Sequence, residues 1–303
     1  MWHKIRTWLL RFFQAIKIWA FRLSYRVSSA RSWRGSGYDA PHTDRPIQAG
    51  DITLTARLYA NEKGGQRPVI VFFHGGGWVI GDLESHHPFC QALSTHSDCS
   101  VISVDYRLAP EHPFPAAHDD CLAATRWLAE HATELVPGNG KLVLAGESAG
   151  GNLATCTCLE IDAIAREKIV GEILIDASTA HYSAGFGSYT EHANDQALTA
   201  SILLWFWDTY LGQLAADDPT VQRAYPLHSA HIANLPPTLL VTAEKDPLQD
   251  EGKAYAELLR QAGVPLTYYH FDNAEHTFAC SQGPNHDVLI LLDHVNTWLA
   301  QLD

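Results

Sequence analysis

The 303-residue chain reads as an α/β protein, with a mostly parallel central sheet flanked by helices and a helical cap. Three observations predict this. Short apolar runs rich in β-branched and aromatic residues recur along the chain. Segments of helical period separate them. One aromatic stretch interrupts the alternation where no strand is due.

Each element can be justified in order. "DITLTARLY" (51–59) alternates with period two, the pattern of a half-exposed strand. "PVIVFF" (68–73), "SVISVD" (100–105), "KLVLAG" (141–146), "GEILIDAS" (171–178) and "PTLLVTA" (237–243) are nearly continuous, as strands buried on both faces are; "LTYYHF" (266–271) closes the set. Helices are expected over 115–134, from the end of "KLVLAG" to about residue 166, over 248–262 and over 286–301. Strands joined through such helices imply right-handed crossovers. The segment 180–225, containing "LLWFWDTYLG", reads as a helical insertion over the sheet's C-terminal edge.

The first residues are different in kind. Trp2, Ile5, Leu9, Phe12, Ile16, Trp19, Leu23 and Val27 recur at intervals of three and four, marking one apolar helical face. Residues 1–38 carry eight basic side chains and no acid, while the remainder holds thirteen basic groups against 34 acidic ones, a balance of −21. Arg11 and Lys17 interrupt the apolar run, which makes it a poor spanning helix and a poor secretory signal. We divide the chain into an N-terminal helical segment, 1–45, and an α/β domain, 46–303, with its cap insertion at about 180–225. A cap helix, a peripheral membrane contact through residues 1–35 and, less favoured, an organelle-targeting segment stay open for the N-terminal part.

An acidic body argues against a nucleic-acid partner and against a large anionic substrate. Six cysteines in a chain of this length, with Cys156 and Cys158 in neither a C-x-x-C nor a four-ligand metal pattern, read as buried thiols of a reducing, cytoplasmic setting. No cofactor and no metal is expected. Homodimerisation stays open.

Chemistry enters with "LVLAGESAGGNLAT". Gly146-Glu147-Ser148-Ala149-Gly150 matches G-x-S-x-G between a strand and a helix, the setting in which a serine sits on a sharp turn with its hydroxyl projecting. "FHGGGWVIGD" follows another strand. A serine attacking an ester builds charge on the carbonyl oxygen, and backbone amides approach that oxygen closely only where side chains are missing. Gly75, Gly76 and Ala149 are the expected oxyanion donors, with His74 bracing the loop. The order Ser, acid, His then directs attention to late loops. Asp246, just past a strand and followed by Pro247, is favoured over Glu244, while Asp250 and Glu251 suit a helix N-terminus. His276, in a loop, is favoured over His270, which lies within a strand. Trp78, Trp205, Phe206 and Trp207 are the expected pocket walls.

Together, "FHGGGWVIGD", "DYRLAPEHPFPAA", "GESAGGNLA", "AEKDPL" and "EHTF" resemble the hormone-sensitive-lipase-like α/β-hydrolases, the bacterial family IV esterases, from about residue 50 to the end. Among them the chain looks most like the acetyl-esterase type. The resemblance implies Ser148, Asp246 and His276 as the triad, the donors named above, and a lid built from the N-terminal segment and the 180–225 insertion. It implies a serine carboxylesterase acting on small-molecule esters with short to medium acyl groups, its rate falling below about pH 6.5. An arylformamidase or amidase, a membrane-surface lipase and a non-catalytic receptor for hydrophobic ligands are the alternatives. The chain departs from the family pattern at Glu147, usually Asp, and at Thr277, usually a small residue. Arg107 and Glu111 are expected to be structural.

Overall fold

The structure, a computed structural model, describes residues 2–38, 40–194 and 197–302, with side chains from residue 15 onward. Trp2, Ile5, Leu9 and Phe12 of the expected apolar face therefore have side chains outside the described residues. Eight strands form one sheet: β1 (Thr43–Ala49), β2 (Ile52–Tyr59), β3 (Val69–Phe73), β4 (Val101–Asp105), β5 (Leu142–Glu147), β6 (Ile169–Ile175), β7 (Thr238–Lys245) and β8 (Leu266–Glu275). Their spatial order is β1-β2-β4-β3-β5-β6-β7-β8. The pairs β1–β2 and β2–β4 are antiparallel and all others parallel. The helices are α1 (Trp2–Ser32), α2 (His87–Ser97), α3 (Ala116–Leu135), α4 (Ala149–Glu160), α5 (Ala163–Arg166), α6 (Ser188–Glu191), α7 (Ala200–Leu211), α8 (Gln249–Gln261), α9 (Phe278–Ser281) and α10 (His286–Leu299).

The continuous apolar runs become central strands because both faces are covered. In β3, Val69, Val71 and Phe73 belong to a core shared with Ala117, Cys121 and Leu128 of α3, Leu153 of α4 and Leu259 of α8. Ile70 and Phe72 point the other way, into a second core with Phe89 and Leu93 of α2 and Leu291 and Val295 of α10. In α10, Val288, Leu291, Leu292, Val295, Trp298 and Leu299 repeat at three and four residues and are all buried. Asn285 caps that helix by accepting from the Val288 N–H. All six cysteines are buried free thiols.

Several expectations shift. The division at residue 45 cuts through β1, whose polar sequence "TDRPIQA" was not legible as a strand. Pro46 is tolerated there because β1 lies at the sheet edge. The helix expected to run to about residue 166 breaks after Glu160, and α5 restarts with Asp162 accepting from the Ala165 N–H. The insertion between β6 and β7 spans 176–237, longer than 180–225 at both ends.

The apolar face of α1 is also not the face that packs. Ile16, Trp19, Leu23 and Val27 are exposed. Ile18, Phe21, Arg22, Tyr25 and Ser29, on the opposite side, meet the body. Arg22 donates to the carbonyls of Val79 and Ala109 at 2.8 and 3.0 Å and to both Glu111 carboxylate oxygens. Arg26 pairs with Asp82, and the Ser29 hydroxyl donates to the Ser85 carbonyl. The C-terminal half of α1 thus lies on the body, held largely by polar side chains.

Candidate active site

The C-terminal ends of parallel strands deliver the chemistry, as expected for an open α/β sheet. Ser148 follows β5 at the start of α4, Asp246 follows β7 and His276 follows β8. Ser148 has φ 54° and ψ −117°, a conformation that L-residues seldom adopt and that turns the side chain out of the sheet. The flanking glycines make the turn feasible by interlocking: a Cβ at Gly146 would overlap the Gly150 backbone, and one at Gly150 would overlap the Phe73 carbonyl. The turn is pinned by the Ser148 N–H donating to the Ile175 carbonyl at 2.8 Å.

His276 Nε2 lies 2.9 Å from Ser148 Oγ, and His276 Nδ1 lies 2.7 Å from Asp246 Oδ2. All three side chains are buried. Asp246 Oδ1 is fixed by the Leu248 N–H at 2.8 Å, which leaves Oδ2 for the imidazole. Burial disfavours the imidazolium of His276, but the Asp246 charge and hydrogen bond outweigh it and raise the group above its ordinary range. Glu244 instead accepts from the Asn273 N–H, and His270 bonds Thr242 Oγ1, so neither reaches the serine.

Gly75 is a correction to the sequence reading. Its N–H donates to His86 Nε2 at 3.2 Å, and a Cβ on it would overlap the Glu147 carboxylate, so it does not line the cavity beside Ser148. Gly76, Gly77 and Ala149 do line it. Their amides donate to no acceptor among the described residues. Both Gly76 (φ 111°) and Gly77 (φ 58°) need the left-handed freedom of glycine. A Cβ at Gly76 would strike the Ile80 carbonyl, and one at Gly77 would strike the Phe206 ring.

The loop is braced as expected. The His74 ring stacks on Tyr106 with centroids 4.2 Å apart, and Tyr106 donates to the His74 carbonyl at 2.7 Å. Arg107 pairs with Asp120, and Glu111 receives Arg22. Glu147 points away from the nucleophile, its Oε2 3.1 Å from His86 Nε2.

The cavity above Ser148 measures about 80 Å³ and is walled mainly by apolar side chains. Of the expected wall residues, Trp78 and Phe206 line it. Trp205 does not; it borders a separate groove with Lys17, Ile18 and Phe21. Trp207 is buried behind the wall, 4.4 Å from the Trp78 ring centroid. Phe21 and Tyr25 of α1, and Thr277, also line it, together with Leu198, Ile202 and Leu203.

Sequence reasoning missed Gly77, His86 and Asp176. Asp176, at the end of β6, accepts from the Thr277 N–H at 3.2 Å. Burial, and then repulsion from Asp246, push it well above the usual carboxylate range. A polar residue ending an otherwise apolar strand was its only sequence signal.

A family model described as the alpha/beta hydrolase fold matches residues 70–280. The chain belongs to that family. Within the α/β-hydrolases it falls in the hormone-sensitive-lipase-like branch. It is 38% identical to the esterase LipI of Mycobacterium tuberculosis over 213 residues, covering 70% of this chain and 66% of LipI. It is 31% identical to an arylesterase of Saccharolobus solfataricus, covering 82% and 80%. An esterase structure from Pyrobaculum calidifontis superposes with a TM-score of 0.85 at 32% identity, covering 93% and 92%. The matched region spans 66% of LipI and 62% of the mycobacterial LipN, somewhat under two thirds of each.

Proposed function

We propose that this α/β-hydrolase is a serine carboxylesterase for uncharged esters with a short acyl group. The carrying observation is the hydrogen-bonded row Asp246–His276–Ser148 beside three unpartnered amides. Ser148 Oγ attacks the ester carbonyl carbon as His276 Nε2 takes its proton. Asp246 keeps the Nδ1–H oriented and stabilises the imidazolium. The oxygen of the tetrahedral intermediate is held by the N–H groups of Gly76, Gly77 and Ala149. Collapse releases the alcohol, which leaves with the proton from His276. A water, deprotonated in turn by His276, then hydrolyses the acyl-serine.

The acyl preference rests on space. One water needs about 10–15 Å³ of such volume, so about 80 Å³ holds a handful of heavy atoms. The relatives described as esterases, among them an ethyl acetate hydrolase of Pseudomonas putida at 36% identity, support an ester rather than an amide substrate. The test is a series of p-nitrophenyl esters of increasing acyl length with the wild type and Ser148→Ala. Hydrolysis should be best for the shortest chains, and Ser148→Ala should lose on the order of 10⁶-fold in kcat with its circular dichroism unchanged. Full turnover by that variant overturns the mechanism.

A further inference from the structure

We propose that the outward face of α1 docks this chain flat onto an anionic membrane surface. The inference is independent of the esterase reading. Ile16, Trp19, Leu23 and Val27 are 45%, 65%, 43% and 56% exposed, and they follow one another at three- and four-residue spacing. Scattered exposed apolar residues need no explanation, but an aligned row does. Among the described residues, four of the seven large exposed hydrophobics sit in this one row. It is about 16 Å long.

The body does not leave this face open by chance. The opposite face of α1 is engaged with the body, with Ile18 buried, Arg22 on three acceptor residues and Ser29 on the Ser85 carbonyl. The helix is therefore held in one orientation with its apolar row outward. Rotating it to bury the row would break the Arg22 and Arg26 pairs with Glu111 and Asp82.

Charge selects the occupant. Residues 1–38 hold eight basic side chains and no acid. Arg31, one turn beyond Val27, and Lys17, on the flank between the row and the packed face, are exposed and have no ion pair among the described residues. A second copy docking row to row would bring the unpaired Lys17 and Arg31 of one helix toward those of the other, with no acid on either helix between them. Anionic lipid headgroups supply the opposite charge, and an apolar face flanked by cations lies at the headgroup boundary. With the rest of the chain at −21, the approach is helix first. No helix among the described residues is long and apolar enough to cross the membrane, so contact is in the plane of the surface. Phe21 and Tyr25 on the inner side of the same helix line the cavity above Ser148, which places that cavity next to the lipid.

The test is co-sedimentation of the full chain with vesicles of phosphatidylcholine alone or mixed with phosphatidylglycerol. The expected result is binding to the mixed vesicles, weakened by salt, and little to phosphatidylcholine. Trp19→Glu/Leu23→Glu should lower affinity by about tenfold or more. Lys17→Glu/Arg31→Glu, which leaves the apolar row intact, should also lower it and keeps the test valid if the first variant misfolds. The proposal is overturned if the wild type stays in the supernatant, if both vesicle types bind equally, or if neither double variant changes binding. A dimer in light scattering that Trp19→Glu/Leu23→Glu dissociates would assign the row to a second copy instead.

Discussion

The floor of the site and the cap above it are built on different principles. The floor is backbone: Gly146 against Gly150, Gly150 against the Phe73 carbonyl, Gly76 against the Ile80 carbonyl, with Ser148 forced to positive φ. Its geometry tolerates almost no added atoms. The cap is side chains: Phe21, Tyr25 and Phe206 fill space, and α1 is attached through Arg22 and Arg26. In the proposed reaction, the contrast puts reactivity below the substrate and access and fit above it.

The largest expected effect that sharpens this contrast is Asp246→Asn. It keeps the shape of the floor but offers the imidazole the wrong tautomer, and kcat should fall by about 10⁴-fold. The pH dependence carries a second signature. The base must be neutral to accept the Ser148 proton, so kcat/KM falls as pH drops through the His276 pKa. Because Asp246 raises that pKa toward about 9, the acid limb should lie above the ordinary value of about 6.5. In Asp246→Asn the limb should move down, since the raising charge is gone and burial then dominates. A pH–rate profile measures both, and an unmoved limb would break the assignment of Asp246.

Gly77→Ala comes next. The added Cβ overlaps the Phe206 ring and strains a positive φ, so the amide shifts and kcat should fall by about 10²–10³-fold. In a Phe206→Ala background part of that loss should return, because the cap yields where the floor does not. Full activity of Gly77→Ala alone would show that this amide is not a donor.

The smallest effect belongs to the cap attachment. Arg22→Met removes hydrogen bonds to Val79, Ala109 and Glu111, with the Arg22–Glu111 pair half in solvent. The loss should be about 1–2 kcal/mol in thermal unfolding, with KM changing more than kcat. A large fall in kcat at unchanged KM would mean that the cap, too, acts on the reacting atoms.

The floor was largely legible in the sequence for the same reason that it is rigid. Ser148 between two glycines, Asp246 before Pro247, and His276 after a strand are residue types and positions that the chemistry leaves little room to vary. The donor assignment was off by one residue because spacing does not tell which amide is free. The N–H of Gly75 is taken by His86, which was not read as part of the site. The cap was less legible. Periodicity singled out Trp19 and Leu23 on α1, yet the packed side is built on Arg22 and Ser29, whose polar atoms find partners on the body, and on Tyr25, whose ring lies against His86. Apolar periodicity reports where grease lies on a helix and is silent about long-range partners. β1 escaped for a related reason: an edge strand with solvent on its flank has no need of an apolar alternation.

The Phe206 ring occupies the volume that any side chain at position 77 would claim. One wall of the cavity above Ser148 is therefore lent by α7, which carries none of Ser148, Asp246 and His276. Exchanging that ring for a smaller or larger one would redraw the cavity while Ser148, His276 and the amides of the glycine loop keep their places.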